Sequence, residues 1–187
     1  YSYDLGGSWS WRGRNQVQLL EGLLLAIFLV YMVMACLFES LRQPLALMVT
    51  VACAFPGVVW FLHLHGDRFD QPAGVGLILL AGIVVNNGIV FIDHVNRHRA
   101  GGLDLMAALQ IGGEERLRPI LITALTTLIG LLPMAYGGAS AAGTYYFTLA
   151  RTIVGGLAVS TLLTLIVLPV VYSLLAKRDP VSPALKA

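Results

Sequence analysis

Charge is what this chain has least of. Of its 187 residues, only 12% are Asp, Glu, Lys or Arg, while 57% are hydrophobic. A soluble domain carries about 25% charged residues, so the composition excludes one and points to a chain built for lipid. Net charge is +2 with no basic cluster, which excludes a nucleic-acid surface. The two cysteines, Cys36 and Cys53, both fall inside apolar runs. They read as small buried apolar residues, not as a disulfide framework. No paired acids, His-Glu-x-x-His or Gly-x-Ser-x-Gly occur, so an intramembrane protease or phosphotransferase lacks its working groups, and no metal or cofactor is expected. Neither an initiator methionine nor a basic leader precedes the apolar sequence, and the chain is read as a C-terminal piece of a longer one.

What is present is a series of long apolar runs. Five spans are expected, over residues 17–38, 44–64, 73–95, 119–136 and 146–176, each long enough to cross a hydrocarbon core of about 30 Å. The expected fold is therefore an all-α integral membrane protein, a five-helix transmembrane bundle spanning residues 17–177. Residues 1–16, with Trp9 and Trp11, read as the end of an extracytoplasmic segment anchored at the interface. Glu39 to Pro44 reads as a tight turn, Pro56-Gly57 as a kink, and the unusually long fifth span as either tilted or opened by a broken turn near Gly155-Gly156. Residues 96–118 read as a polar connector holding a short surface helix over 103–111, with Pro119 opening the fourth span. Gly137 to Thr144 reads as a loop, and residues 178–187 as a disordered tail. His63 and His65 read as polar loop residues. His94 and His98 stand four apart and can share a helical face; with no third ligand near in sequence, they read as a solvated helix end.

With the N-terminus outside, the inner segments hold Arg42, Arg97, Arg99, Arg116, Arg118, Lys177, Arg178 and Lys186, leaving four of the 12 basic residues outside. The positive-inside rule favours this orientation.

Polar residues within the spans are the functional candidates. Asn86 and Asn87 lie near the middle of the third span, where an amide without a partner costs about 2–7 kcal/mol. Gly82, Asn86 and Asp93 fall near one helical face, and Arg116, Thr123, Thr127 and Gly130 form a second stripe. Ser160, Thr161 and Thr164 add a third. The simplest arrangement turns these stripes toward one another as a hydrogen-bonded seam, with Gly82, Gly88 and Gly130 permitting close helix approach.

Leu29-Val-Tyr-Met-Val-Met-Ala35 running into Phe38-Glu39-Ser40 and Pro44, Gly82-Ile-Val-Val-Asn-Asn-Gly-Ile-Val90 with Asp93, Arg116-Leu-Arg-Pro-Ile-Leu-Ile-Thr123 and Gly130-Leu-Leu-Pro133 occur in that order. Together they resemble the C-terminal membrane half of a resistance-nodulation-division (RND) efflux transporter of the hydrophobe/amphiphile, multidrug branch, over about residues 19–177. The resemblance implies the last five helices of a twelve-helix, proton-driven drug antiporter. It implies a homotrimer in the bacterial inner membrane, the start of this piece periplasmic and its end cytoplasmic, working with a periplasmic adaptor and an outer-membrane channel. It implies that two aspartates on a helix of the missing N-terminal half carry protons, and that the relay positions fall here on Asn86, Arg116 and Thr123, with Arg118 competing if the register shifts. Well-known members carry lysine where this chain has Asn86. Asparagine does not titrate and can only hydrogen-bond a carboxyl group, so the electrostatic part of a relay passes to Arg116 or to water. A lipid exporter, a protein-translocation accessory and a purely structural membrane module are the alternatives.

Overall fold

The computed structural model describes residues 7–41, 43–137, 140–141 and 144–176. Five helices follow one another, α1 (Gly7–Phe38), α2 (Gln43–Leu64), α3 (Gln71–Ala100), α4 (Leu105–Tyr136) and α5 (Phe147–Ala176). Between α4 and α5, strands β1 (Ser140–Ala141) and β2 (Thr144–Tyr145) pair antiparallel within the segment expected to be loop. All five helices are long and apolar enough to cross a membrane, and their outer surfaces present Leu, Val, Ile and Phe such as Phe28, Val33, Ile129, Leu162 and Ile166. That is a fold with lipid as its solvent.

Helix α5 is the hub, lying against α2, α3 and α4. Its contact with α2 is made by glycine on both sides. A Cβ on Gly57 would sit 2.7 Å from the Gly155 carbonyl oxygen and 2.6 Å from Val159 Cβ, and one on Gly155 only 2.2 Å from Phe61 Cβ. Gly156 likewise meets Leu80 of α3, at 2.1 Å from its Cδ2. Such backbone-to-backbone approach is how membrane helices gain packing energy where lipid offers no hydrophobic drive. The Gly155-Gly156 pair is thus a contact surface inside a continuous helix, not the broken turn expected. Around the crossing, one buried cluster joins Ala54, Val58, Leu62, Leu80, Val84 and Leu157; a second joins Met34, Leu47, Ile92, Val95, Leu168 and Tyr172 nearer the opposite end.

Three boundaries differ from expectation. The connector 96–118 is helical except for Gly101–Asp104: α3 runs on to Ala100, and Asp104 caps α4 through a hydrogen bond from Met106 N at 3.4 Å. The 103–111 surface helix is therefore the first part of α4, and Pro119 lies inside that helix. At 32 residues α4 is about 48 Å long, well beyond the hydrocarbon thickness, and its charged residues Glu114, Glu115, Arg116 and Arg118 all lie in its N-terminal half. At the other terminus, helix begins at Gly7, where the end of an extracytoplasmic segment was expected; residues 1–6 and the tail 178–187 lie outside the described residues. Cys36 is exposed on the surface of α1, contrary to the buried reading; both cysteines are free.

Candidate functional site

The polar residues sort into three groups along the helices. The first closes the end of the bundle that holds the α2–α3 loop. Asp67 accepts two hydrogen bonds from Arg151 Nη1, at 2.7 and 3.0 Å, and Arg151 Nε donates to the Ala135 carbonyl at 2.9 Å. The pair is largely dry, with 18% of the Arg151 and 11% of the Asp67 side chain exposed. Asp70 caps α3 by accepting from Ala73 N and also accepts from the buried Thr148 hydroxyl at 3.0 Å. One acidic loop therefore fastens α3, α4 and α5 together. Sequence reasoning read Arg151 only as an outside basic residue and missed its partner.

The second group is the expected mid-membrane stripe, and it does not face inward. Asn86 is exposed, Asn87 half-buried, and neither side chain makes a hydrogen bond among the described residues. Thr123 and Thr127 donate to their own helix, to the Pro119 carbonyl at 2.6 Å and the Thr123 carbonyl at 2.9 Å. A Cβ on Gly82 or Gly130 would meet nothing within 4 Å, whereas one on Gly88 would lie 2.1 Å from Leu47 Cδ2. The seam expected among the three stripes is therefore not formed within these five helices. Only the α5 stripe turns inward: Ser160, Thr161 and Thr164 are buried, and Thr161 Oγ1 has no partner among the described residues. The physical reason is packing volume. Leu80, Val84, Leu157 and the glycine crossings fill the interior, and the period of α3 then carries Val75, Leu79, Gly82, Asn86 and Val90 to the outside.

The third group sits where α3 and α4 emerge at the opposite end. His94 and His98, one turn apart on α3, both reach Glu115 of α4: His94 Nε2 touches Glu115 Oε2, and His98 Nε2 lies 3.2 Å from the same oxygen. The two imidazole Nε2 atoms are 3.3 Å apart. Arg116 Nη2 lies 3.2 Å from His94 Nδ1, and Arg116 Nε is buried without a partner among the described residues. A guanidinium only donates, so His94 Nδ1 accepts and its proton sits on Nε2, directed at Glu115. The solvated helix end expected for the two histidines is thus a half-buried junction between helices. Its third member comes from a part of the sequence that spacing alone does not connect to them. Asp93, the remaining stripe residue, pairs with Arg97 one turn on at 2.9 Å, a largely solvated i,i+4 contact. Nearby, the buried Asn96 accepts from the Tyr172 hydroxyl and donates to Gln43 Oε1 at 3.0 Å, joining α2, α3 and α5.

The AcrB/AcrD/AcrF family matches residues 1–176. Among curated proteins, the chain is 38% identical over 176 residues to the swarming motility protein SwrC of Bacillus subtilis, covering 94% of this chain and 17% of that protein. It is 34% identical to the cobalt-zinc-cadmium resistance protein CzcA of Cupriavidus metallidurans, covering 82% of this chain and 14% of that one. It is 39% identical to the multidrug resistance protein MdtC of Erwinia tasmaniensis, covering 80% and 15%. A crystal structure of a heavy metal efflux pump superposes with a TM-score of 0.81 at 33% identity, covering 95% of this chain and 18% of the pump. The chain thus spans less than a fifth of the length of these relatives.

Proposed function

We propose a function from one premise: the chain belongs to the AcrB/AcrD/AcrF family, and so is a stretch of a multi-pass RND membrane transporter and not of an enzyme. In our reading it works as the last five helices of a drug:proton antiporter of the bacterial inner membrane, exporting amphiphilic or hydrophobic compounds. The Gly7 end is periplasmic and the Ala176 end cytoplasmic. The whole protein is a homotrimer, joined to a periplasmic adaptor and an outer-membrane channel.

One observation carries this reading. The α3 face holding Asn86 has no hydrogen-bond partner among the described residues, and Arg116 Nε is buried and unpaired. Asn86 lies at mid-span, where this chain offers no carboxylate, since Glu21 and Asp93 lie toward helix ends, and Arg116 lies nearer the end of the bundle that holds His94. Carboxylates on helices of an N-terminal half would supply the acceptors. Asn86 would then hydrogen-bond a carboxyl group in either protonation state, while Arg116 senses its charge. A charge crossing the membrane gains about 2.3 kcal/mol per 100 mV, enough to bias two packings of the helices.

The test uses the full-length transporter in everted vesicles. Asn86→Leu and Arg116→Gln should each lower proton-driven efflux at least about tenfold, a loss of some 1.4 kcal/mol of coupling, with unchanged abundance in the membrane. Wild-type efflux in both variants would overturn the relay. A second reading, export of divalent metal cations, is favoured by the similarity to CzcA and to the heavy metal efflux pump. Vesicles that accumulate Zn²⁺ or Co²⁺ but no amphiphilic dye would establish it in place of the first.

A further inference from the structure

We infer that His94, His98 and Glu115 form a binding site for a divalent transition-metal cation of the Zn²⁺ class, and that occupancy of this site expels Arg116 from His94. The three ligand atoms lie within 4.8 Å of one another. A tetrahedral Zn²⁺ with ligands at about 2.0–2.1 Å requires them to be about 3.3 Å apart. The two imidazole nitrogens stand at 3.3 Å, and His98 Nε2 to Glu115 Oε2 at 3.2 Å. Two of the three edges thus already have the length a tetrahedral site needs; His94 and Glu115 touch, and must part for a cation to sit between them. The fourth corner opens to water, since 52% of the Glu115 side chain is exposed against 20% for His94 and 26% for His98.

The backbone explains why the third ligand arrives. Gly112 lies one turn before Glu115 and meets α3 at Val95, next to His94; a Cβ there would be 2.9 Å from Val95 Cγ2. The missing side chain lets α4 come close enough for Glu115 to span to both histidines. Two imidazoles one turn apart with a carboxylate from a facing helix suit a borderline cation. They suit Ca²⁺ or Mg²⁺ poorly, since those select oxygen.

Arg116 makes the site conditional. As the side chains stand, His94 Nδ1 accepts from the guanidinium and Nε2 carries the proton. Coordination through Nε2 moves that proton to Nδ1, turning an acceptor into a donor that faces another donor. His98 makes the same Nε2-to-Nδ1 exchange, so no proton is lost overall when both imidazoles begin neutral. Arg116 must leave, carrying its positive charge away from the cation. The metal and the Arg116 contact are alternatives at one imidazole. Metal binding itself does not depend on the antiport reading; a link from metal occupancy to proton coupling through Arg116 does rest on it.

The experiment titrates metal-stripped full-length protein in nanodiscs with Zn²⁺. The His94→Gln/His98→Gln double variant should bind one Zn²⁺ fewer per protomer than wild type. Glu115→Gln should weaken that equivalent more than about tenfold, since even an outer-shell partner of a metal ligand is worth about 10–100-fold. Arg116→Gln should tighten it. Co²⁺ added to the wild type should give the intense visible absorption of a four-coordinate site, bleached by Zn²⁺; this arm needs no variant to fold. Equal stoichiometry in the double variant and wild type, or no such Co²⁺ band, overturns the site. Affinity unchanged in Arg116→Gln overturns the exclusion of Arg116. Because the readout is binding, wild-type efflux in both Asn86→Leu and Arg116→Gln would remove the relay and leave this site standing.

Discussion

Asp67 accepts hydrogen bonds from Arg151 Nη1 at both carboxylate oxygens, 2.7 and 3.0 Å away. It holds Arg151, which also donates to the Ala135 carbonyl and lies over the Phe147 ring, in a setting with little water. Asp67→Asn keeps the shape and removes the charge, leaving the guanidinium partly buried without a counterion. The expected cost is about 3 kcal/mol, the low end for a broken buried pair because both side chains retain some water. Thermal unfolding in detergent should show it, and adding Arg151→Met should return part of the loss; two independent, additive losses would mean the pair is not coupled. Nothing local in the sequence joins Asp67 to Arg151, which lie 84 residues apart, so the pair was not legible there. His94 and His98 were half legible. Their one-turn spacing is a property of the helix, while the approach of Glu115 depends on where Gly112 lets α4 touch α3.

At the scale of whole helices, the five apolar runs were legible because hydropathy over about 20 residues leaves little alternative in lipid. Their ends were less so. Arg97, Arg99, Asp104, Glu114, Glu115 and Arg116 made residues 96–118 look like a connector, yet charge does not end a helix that has emerged from the membrane. Nor does Pro119, which gives up one hydrogen bond, to the Glu115 carbonyl, inside a helix that continues past it. Glycine was misread for a related reason: a Gly-Gly pair lowers helix propensity in water, but in a bundle it is a docking surface. Gly57→Ala is the direct check. Its Cβ would press on the Gly155 carbonyl oxygen at 2.7 Å, a backbone atom with nowhere to move. A loss of about 1–3 kcal/mol is expected from overpacking, visible as a lowered Tm of the purified protein. Gly82→Ala, which meets nothing within 4 Å among the described residues, serves as the comparison in the 187-residue piece.

For the molecule as a whole, the stripes on α3 and α4 were legible as polar, but not as outward-facing. Periodicity gives a helix its face and says nothing about which neighbour that face meets. The face is turned away from α5 because the glycine crossings and Leu80, Val84 and Leu157 claim the interior. Since no carboxylate lies at mid-membrane in this piece, reconstituting it alone in proteoliposomes with an imposed pH gradient should give no proton-coupled efflux of an amphiphilic dye. Efflux above that of empty liposomes would show that the five helices suffice and that the outward face needs no partner.

The length of α4 also has a mechanical side. Gly112 presses on Val95 near one end of the helix, and the Ala135 carbonyl is held by Arg151 near the other. If Gly112 serves as the fulcrum, the arm to Tyr136 is about 36 Å, and a swing of about 10° displaces its tip by about 6 Å. That travel is about twice the length of the bond from Arg151, so the bond must break before the lever can move. A hydrogen bond at one end and a close glycine contact beside Glu115 at the other tie α4 to its neighbours at both ends of the bundle.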